Sequence, residues 1–366
     1  MRRTSLWGWK YAGWILLTLF VLVFIALPIS TTYLFKNQQQ LPAGSSEYLL
    51  WAEELMTFLM VGFVAIWTFF VGSTFASFLN VVAWRVPRGR SILGSSHCPF
   101  CDIQLTFRDN VPILGWLKNA GRCANCHLPI GPRYLIVELV LGAIFMIATF
   151  TLLLSAGGVL PFVSRTPSFS GFNGLLLDPK LDFVLVLIFH LTALMSIFTF
   201  GLIEVERKQI PFSVFGFSAF FLLLLSAIWP QSLVVPWDFP FSTVENPIDR
   251  VKALISVGIG AAAGLVSGLL LIRLVQTDNK VHYGFSLIGM IAGWQSVFVV
   301  ALLWLLSRVC LAPYDDVQIE RNNGVESEQQ IRELTVLQIL GLPHARMLLV
   351  LLVHLATWRW FEAIEG

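Results

Sequence analysis

Long apolar runs separated by short polar ones set the pattern of this chain. Runs of about 20 residues, enough to cross a bilayer as helix, fall near 11–35, 56–84, 134–160, 182–203, 212–235, 252–276 and 284–312, with a weaker one near 338–359. Within lipid each backbone amide and carbonyl must find an internal partner, so such runs are expected to be helical. The pattern predicts an all-α, polytopic membrane bundle of about eight transmembrane helices. Four segments follow from it: an N-terminal anchor helix with its outer loop (1–55), a region holding a long polar loop at 85–133 (56–145), a membrane core (146–313), and an acidic loop with a C-terminal helix (314–366). Neither polar loop is long enough for a catalytic domain of its own, so any chemistry belongs in or at the membrane.

Composition agrees. Of 366 residues, 56% are hydrophobic and 13% charged, outside the range of soluble domains. The net charge of +2 gives no ground for a nucleic-acid partner, and membrane lipid is the expected surroundings. The placement of charge says more than its sum. Met1-Arg-Arg opens like a signal peptide, but the apolar run after it is long and lacks a clear small-residue cleavage site, so it reads as a retained anchor. Arg85, Arg88, Arg90, Arg108, Lys118, Arg122 and Arg133 crowd one loop, and Arg207 and Lys208 follow the fourth run. The intervening loops are poor in Lys and Arg. The positive-inside rule then puts the N-terminus, the 85–133 loop and the segment at 204 on the cytoplasmic side.

That loop carries the sharpest signal in the chain. Cys98-x-x-Cys101 and Cys123-x-x-Cys126 are separated by 21 residues. Two such turns offer four soft thiolates, which suits a structural zinc ion held tetrahedrally. The competing possibility is two redox-active or unliganded pairs. A reducing cytosol disfavours disulfides there. His97 and His127 lie beside the pairs but are not needed as ligands, and Cys310 in an apolar run reads as a small core residue.

The stretch Ser77-Phe-Leu-Asn-Val-Val-Ala-Trp-Arg85-Val-Pro-Arg-Gly89 resembles the bacterial type IV prepilin leader peptidase/N-methyltransferase family. So do Cys98-Pro-x-Cys101, Arg108-Asp-Asn-Val-Pro-Ile-Leu-Gly-Trp116, Gly121-Arg-Cys-x-x-Cys126 and Arg133-Tyr-x-x-x-Glu138-Leu. The resemblance is near-continuous from about 72 to 145 and patchier beyond. It implies a membrane aspartic endopeptidase of the bacterial cytoplasmic membrane that removes the basic leader from type IV pilin-like or pseudopilin precursors. It also allows methylation of the new N-terminus from S-adenosylmethionine.

The catalytic positions depart from that pattern. Where the family has Asp-x-Asp with a proline seven positions on, this chain has Glu204-Val-Glu206 and Pro211. The second aspartate normally sits in a Gly-x-Gly-Asp-x-Lys turn before Gly-Trp-Gln. Counting back from Gly293-Trp294-Gln295 puts Val281 at that place, whereas Asp278-Asn-Lys280 keeps Asp-x-Lys about one helical turn earlier. Three readings follow: a peptidase with a Glu204/Asp278 pair, a binding or scaffold protein that no longer cuts, or methyl transfer alone. Glu138 at the start of its run reads as scaffold, snorkelling or paired with Arg133. His190 and His354 read as packing histidines. The small residues from Gly258 to Gly268 read as a close helix–helix contact.

Overall fold

A computed structural model describes residues 47–98, 100–154, 181–233, 250–275, 280–315 and 342–357. The predicted anchor at 11–35 and most of the acidic loop lie outside these residues. Helices are labelled in chain order over the described part: α1 Glu47–Arg85, α2 Leu114–Lys118, α3 Arg133–Ala148, α4 Leu181–Val205, α5 Phe212–Ile228, α6 Arg250–Val275, α7 Val281–Asp315 and α8 Pro343–Thr357. Among the described residues no strand forms beyond two isolated bridges in the loop. Five helices are long and apolar enough to cross a membrane: α1, α3, α4, α6 and α7. The runs expected at 212–235 and 338–359 form the shorter helices α5 and α8.

Glycine and serine set how closely the helices approach. Gly260, Gly264 and Gly268 recur every four residues and so share one face of α6. A Cβ on Gly260 would overlap the backbone of Gly289; on Gly264, that of Phe285; on Gly268, that of His282. Rising numbers on α6 meet falling numbers on α7, so the two helices run antiparallel with backbones nearly touching. This is the close contact that the small-residue run predicts. Helices α1 and α3 repeat the device: Gly72 lies against Leu141 and Phe145, and Gly142 lies against Phe69 and Ser73. The Ser73 hydroxyl donates across to the Glu138 carbonyl at 3.0 Å. α7 breaks its helical path at Gly293, which holds φ 79° and ψ 169°, a conformation open to glycine.

The buried centre is aromatic and aliphatic, with Phe189, Phe200, Ile203, Phe285, Trp304 and Leu351 among its fully enclosed side chains. Outward faces carry Phe63, Trp67, Phe217, Phe220 and Leu274, as expected where lipid replaces water. α8 enters this core at its first turn. Gly201 on α4 comes within 3.7 Å (from an added Cβ) of the Ala345 amide nitrogen, and Trp304 Nε1 donates to the Pro343 carbonyl at 3.0 Å. The weakest predicted span is therefore the one that meets α4 just before Glu204.

Candidate functional site

The two cysteine turns fold alike. Cys98 N donates to Ile103 O and Asp102 N to Cys98 O; Cys123 N donates to Leu128 O and His127 N to Cys123 O. The residue after each second cysteine, Asp102 and His127, adopts positive φ (53° and 58°). One bridge per turn, His97 with Gln104 and Arg122 with Pro129, closes each knuckle. The four sulfurs lie within 4.8 Å of one another, and Cys98–Cys126 and Cys101–Cys123 are each 3.9 Å apart. Those separations are too long for disulfides, near 2.05 Å. They match the edge of a tetrahedron with metal–sulfur bonds of about 2.3 Å, which is about 3.8 Å. The cluster could hold a metal ion.

Its electrostatics point the same way. The Ile103 amide lowers the Cys101 thiol to about 6, helped by Asn125 and the neighbouring sulfurs. The amides of Cys126 and Asn125 lower Cys123. The Leu128 amide also favours a Cys126 thiolate, yet burial and the three neighbouring sulfurs push that thiol up to about 11. Amides draw the first charges in and mutual repulsion holds back the last. A divalent cation offsets that repulsion.

The other residues carrying the resemblance build the frame for this centre. A Cβ on Gly115 would overlap the Asp109 carbonyl, and Gly121, at φ 69°, lies against the Trp116 ring. Asp109 accepts from the Thr106 hydroxyl at 2.6 Å and from Asn119 at 3.0 Å. These donors, with Lys118, lower its carboxyl to about 2. Ile113 stands at φ 64°, an unusual place for a β-branched residue. Its amide is held there by Glu138 Oε2 at 2.7 Å. Glu138 is thus a buried scaffold acid, and the alternative pairing with Arg133 does not form. Arg133 and Arg88, one at each end of the loop, both bind the buried carboxylate of Glu206. The loop is thereby tied to the end of α4.

Two residues earlier, Glu204 faces the bundle interior. Its carboxylate is 2% exposed and its partner His344 0%. Oε2 accepts from the His344 amide at 3.0 Å, and Oε1 lies 2.6 Å from His344 Nδ1. His344 is the second residue of α8, where a backbone N–H has no partner within the helix. The carboxylate fills that need from another helix and sits at the positive end of the α8 dipole. The imidazole adds a second bond and packs edge-on to Phe200 at 5.4 Å between ring centres. Both oxygens are therefore engaged by one residue.

Among the described residues no second acid contacts Glu204. Asp278 lies outside them. Val281, the ungapped counterpart of the second aspartate, is fully buried at the start of α7. Lys280 is described: its Nζ donates to the Ile210 carbonyl at 3.0 Å, close in sequence to the Glu204 turn. His190 and His354 are buried in the bundle, and His190 Nδ1 lies 2.8 Å from the Val186 carbonyl. Sequence reasoning missed His344 and Arg346. A signal existed: Arg346 is a cation in an apolar run, and it is buried with its guanidinium 5.4 Å from the Trp304 ring centre. Charges at membrane depth are expensive and call for a partner.

Comparison with known proteins agrees with the region the motifs mark out. Residues 70–152 match the family model of the bacterial peptidase A24 N-terminal domain. A prepilin leader peptidase/N-methyltransferase of Myxococcus xanthus is 44% identical over 82 residues, 22% of this chain and 24% of that protein. The proteins of the same name from Aeromonas hydrophila and Stutzerimonas stutzeri match more broadly and more weakly. The first is 29% identical over 57% of this chain and 71% of its own, the second 25% over 64% and 88%. The chain spans 24% to 44% of the length of four of its more similar curated relatives. No solved structure matches it.

Proposed function

We propose that the chain is a divergent member of the prepilin leader peptidase/N-methyltransferase family that binds pilin-like precursors at the membrane without cutting them. The observation that carries this reading is the engagement of Glu204. Hydrolysis by an acid pair needs two carboxylates sharing a proton, one activating water and one donating to the carbonyl. Here both oxygens of the first acid bind His344, and the side chain is 2% exposed, so the carboxylate is held inside the bundle by the bond that caps α8. The frame around the pair is kept: the cysteine knuckles, the Glu138 tether and the Glu206 clamp all support a retained binding scaffold.

On this reading the four thiolates hold zinc, which shapes the loop and takes no part in hydrolysis. The chain lies in the bacterial cytoplasmic membrane with that loop in the cytosol. No residue is assigned to S-adenosylmethionine. The peptidase alternative keeps one observation in its favour. The Lys280–Ile210 bond brings the residue two places after Asp278 to the turn that follows Glu204.

The test uses purified full-length chain and a labelled precursor peptide, a basic leader followed by an apolar helix. Expected is saturable binding with the peptide intact by mass spectrometry at enzyme excess. Cleavage that disappears in both Glu204→Gln and Asp278→Asn would overturn the non-cutting reading. Absence of binding would overturn the precursor assignment.

A further inference from the structure

Helix α1 ends in a belt of mixed chemistry, of which only Arg88 serves the acid turn, through Glu206. Trp84 is exposed on the last turn, and the guanidinium carbons of Arg88 and Arg90 stand 4.9 and 4.8 Å from its ring centre. Gly89 turns the chain at φ 65°. Arg85 then gathers the returning strand of backbone, donating to the carbonyls of Ser91, Ile92, Leu93 and Ser95 at 3.0–3.4 Å. That bonding fixes residues 91–95 against the helix end. Ile92 and Leu93 are left 42% and 82% exposed, too much apolar surface to be explained by packing within the chain.

The charges in the belt are unequal. Arg88 is committed to Glu206 and to the Trp84 carbonyl. Arg90 is exposed, stacks on Trp84, and binds no carboxylate among the described residues. One cation, one aromatic ring and two aliphatic side chains are thus presented together, at the end of a helix long and apolar enough to cross a membrane. Tryptophan and arginine are at home at the level of lipid headgroups, and an Arg near an anionic surface gains about 1 kcal/mol.

We infer that residues 84–93 form a binding site for an anionic phospholipid, with Arg90 on the phosphate, Trp84 at headgroup depth, and Ile92 and Leu93 against the upper acyl chains. A zwitterionic lipid carries its own neutralising charge and gains less from Arg90. A basic peptide is repelled by it. A soluble acidic partner would leave Ile92 and Leu93 in water. The assignment is independent of whether the chain cuts precursors.

The experiment is native mass spectrometry of the full-length chain with equimolar phosphatidylglycerol and phosphatidylcholine. Expected is preferential retention of phosphatidylglycerol, weakened about fivefold in Arg90→Ala and kept largely in Arg90→Lys, with phosphatidylcholine retention unchanged. Leu93→Asp should weaken it as well, and serves as the independent variant should Arg90→Ala fail to fold. Melting midpoints equal to wild type identify folded variants. Equal retention of both lipids by the wild type would overturn the proposal. So would unchanged phosphatidylglycerol retention in folded Arg90→Ala or Leu93→Asp. Full displacement of the lipid by glycerol 3-phosphate would mark a site for free phosphate and overturn it too.

Discussion

Replacing Glu204 by leucine isolates the most unusual feature of the bundle. The substitution leaves the His344 amide and Nδ1 without acceptors in a site that is 0% exposed at His344. Each stranded polar group costs about 1–3 kcal/mol, so the single variant should lose about 3–5 kcal/mol, a figure typical of breaking one side of a buried pair. His344→Leu should cost a similar amount by a different route. Its amide still caps onto Glu204, but the carboxylate loses its imidazole and remains buried.

The double variant separates pair from parts. With both side chains apolar, no charge and no imidazole is stranded, and the residual loss is the uncapped amide, about 1–2 kcal/mol. Glu204→Leu/His344→Leu should therefore be more stable than either single variant. The assay is the midpoint of thermal unfolding in detergent, ranked across the four proteins, with binding of the labelled precursor measured in parallel. Additive losses would refute a direct pair. A Glu204→Leu midpoint equal to wild type would refute the capping role as well.

Other perturbations probe the frame. The purified chain should carry one equivalent of zinc, and Cys98→Ser should lose it and expose the 85–133 loop to proteolysis; retained zinc with intact protection would remove the four-thiolate assignment. Asp109, whose carboxyl the Thr106 hydroxyl and the Asn119 amide lower to about 2, stabilises the folded loop above its unfolded pKa. That contribution is lost as pH falls through about 2, so its carboxyl resonance should titrate near 2, and a midpoint near 4 would contradict the Thr106–Asn119 cradle. Gly264→Ala drives a Cβ into the Phe285 carbonyl and should cost about 1–3 kcal/mol, whereas Gly258→Ala, which meets nothing within 4 Å, should leave the melting midpoint unchanged.

Periodicity and composition carried the fold a long way because lipid leaves the backbone few choices. Helices α1, α3, α4, α6 and α7 fall where the apolar runs place them, and the α6 glycines make the contact their spacing implies. The cysteine cluster was legible for the same reason: four thiolates at fixed intervals have few uses. Short helices were harder. The run from 212 stops as α-helix at Ile228, next to Trp229 and Pro230, where proline cannot continue the hydrogen-bond ladder. The partner of Glu204 was not legible, since 140 residues separate it from His344 and no local pattern couples them. What the sequence did contain was a mismatch, glutamate at the place of the family's first aspartate and valine at the ungapped place of its second, and mismatches of that kind ask for a new partner.

The role of Glu204 follows from what a helix start demands. α8 opens with Pro343, which brings no amide hydrogen, so His344 carries the first N–H in need of an acceptor. The only acceptor shown to reach it is a carboxylate on α4, and its second oxygen is taken by the same residue's ring. A carboxylate fixed through both oxygens to cap a buried helix is poorly placed to orient a substrate water. If α8 is seated through Glu204, as the Gly201–Ala345 approach also indicates, then restoring an aspartate at 204 shortens the side chain by one methylene and should weaken the His344 bonds. Glu204→Asp should therefore lower the melting midpoint without creating hydrolysis, whereas cleavage gained with stability intact would show that the cap was dispensable.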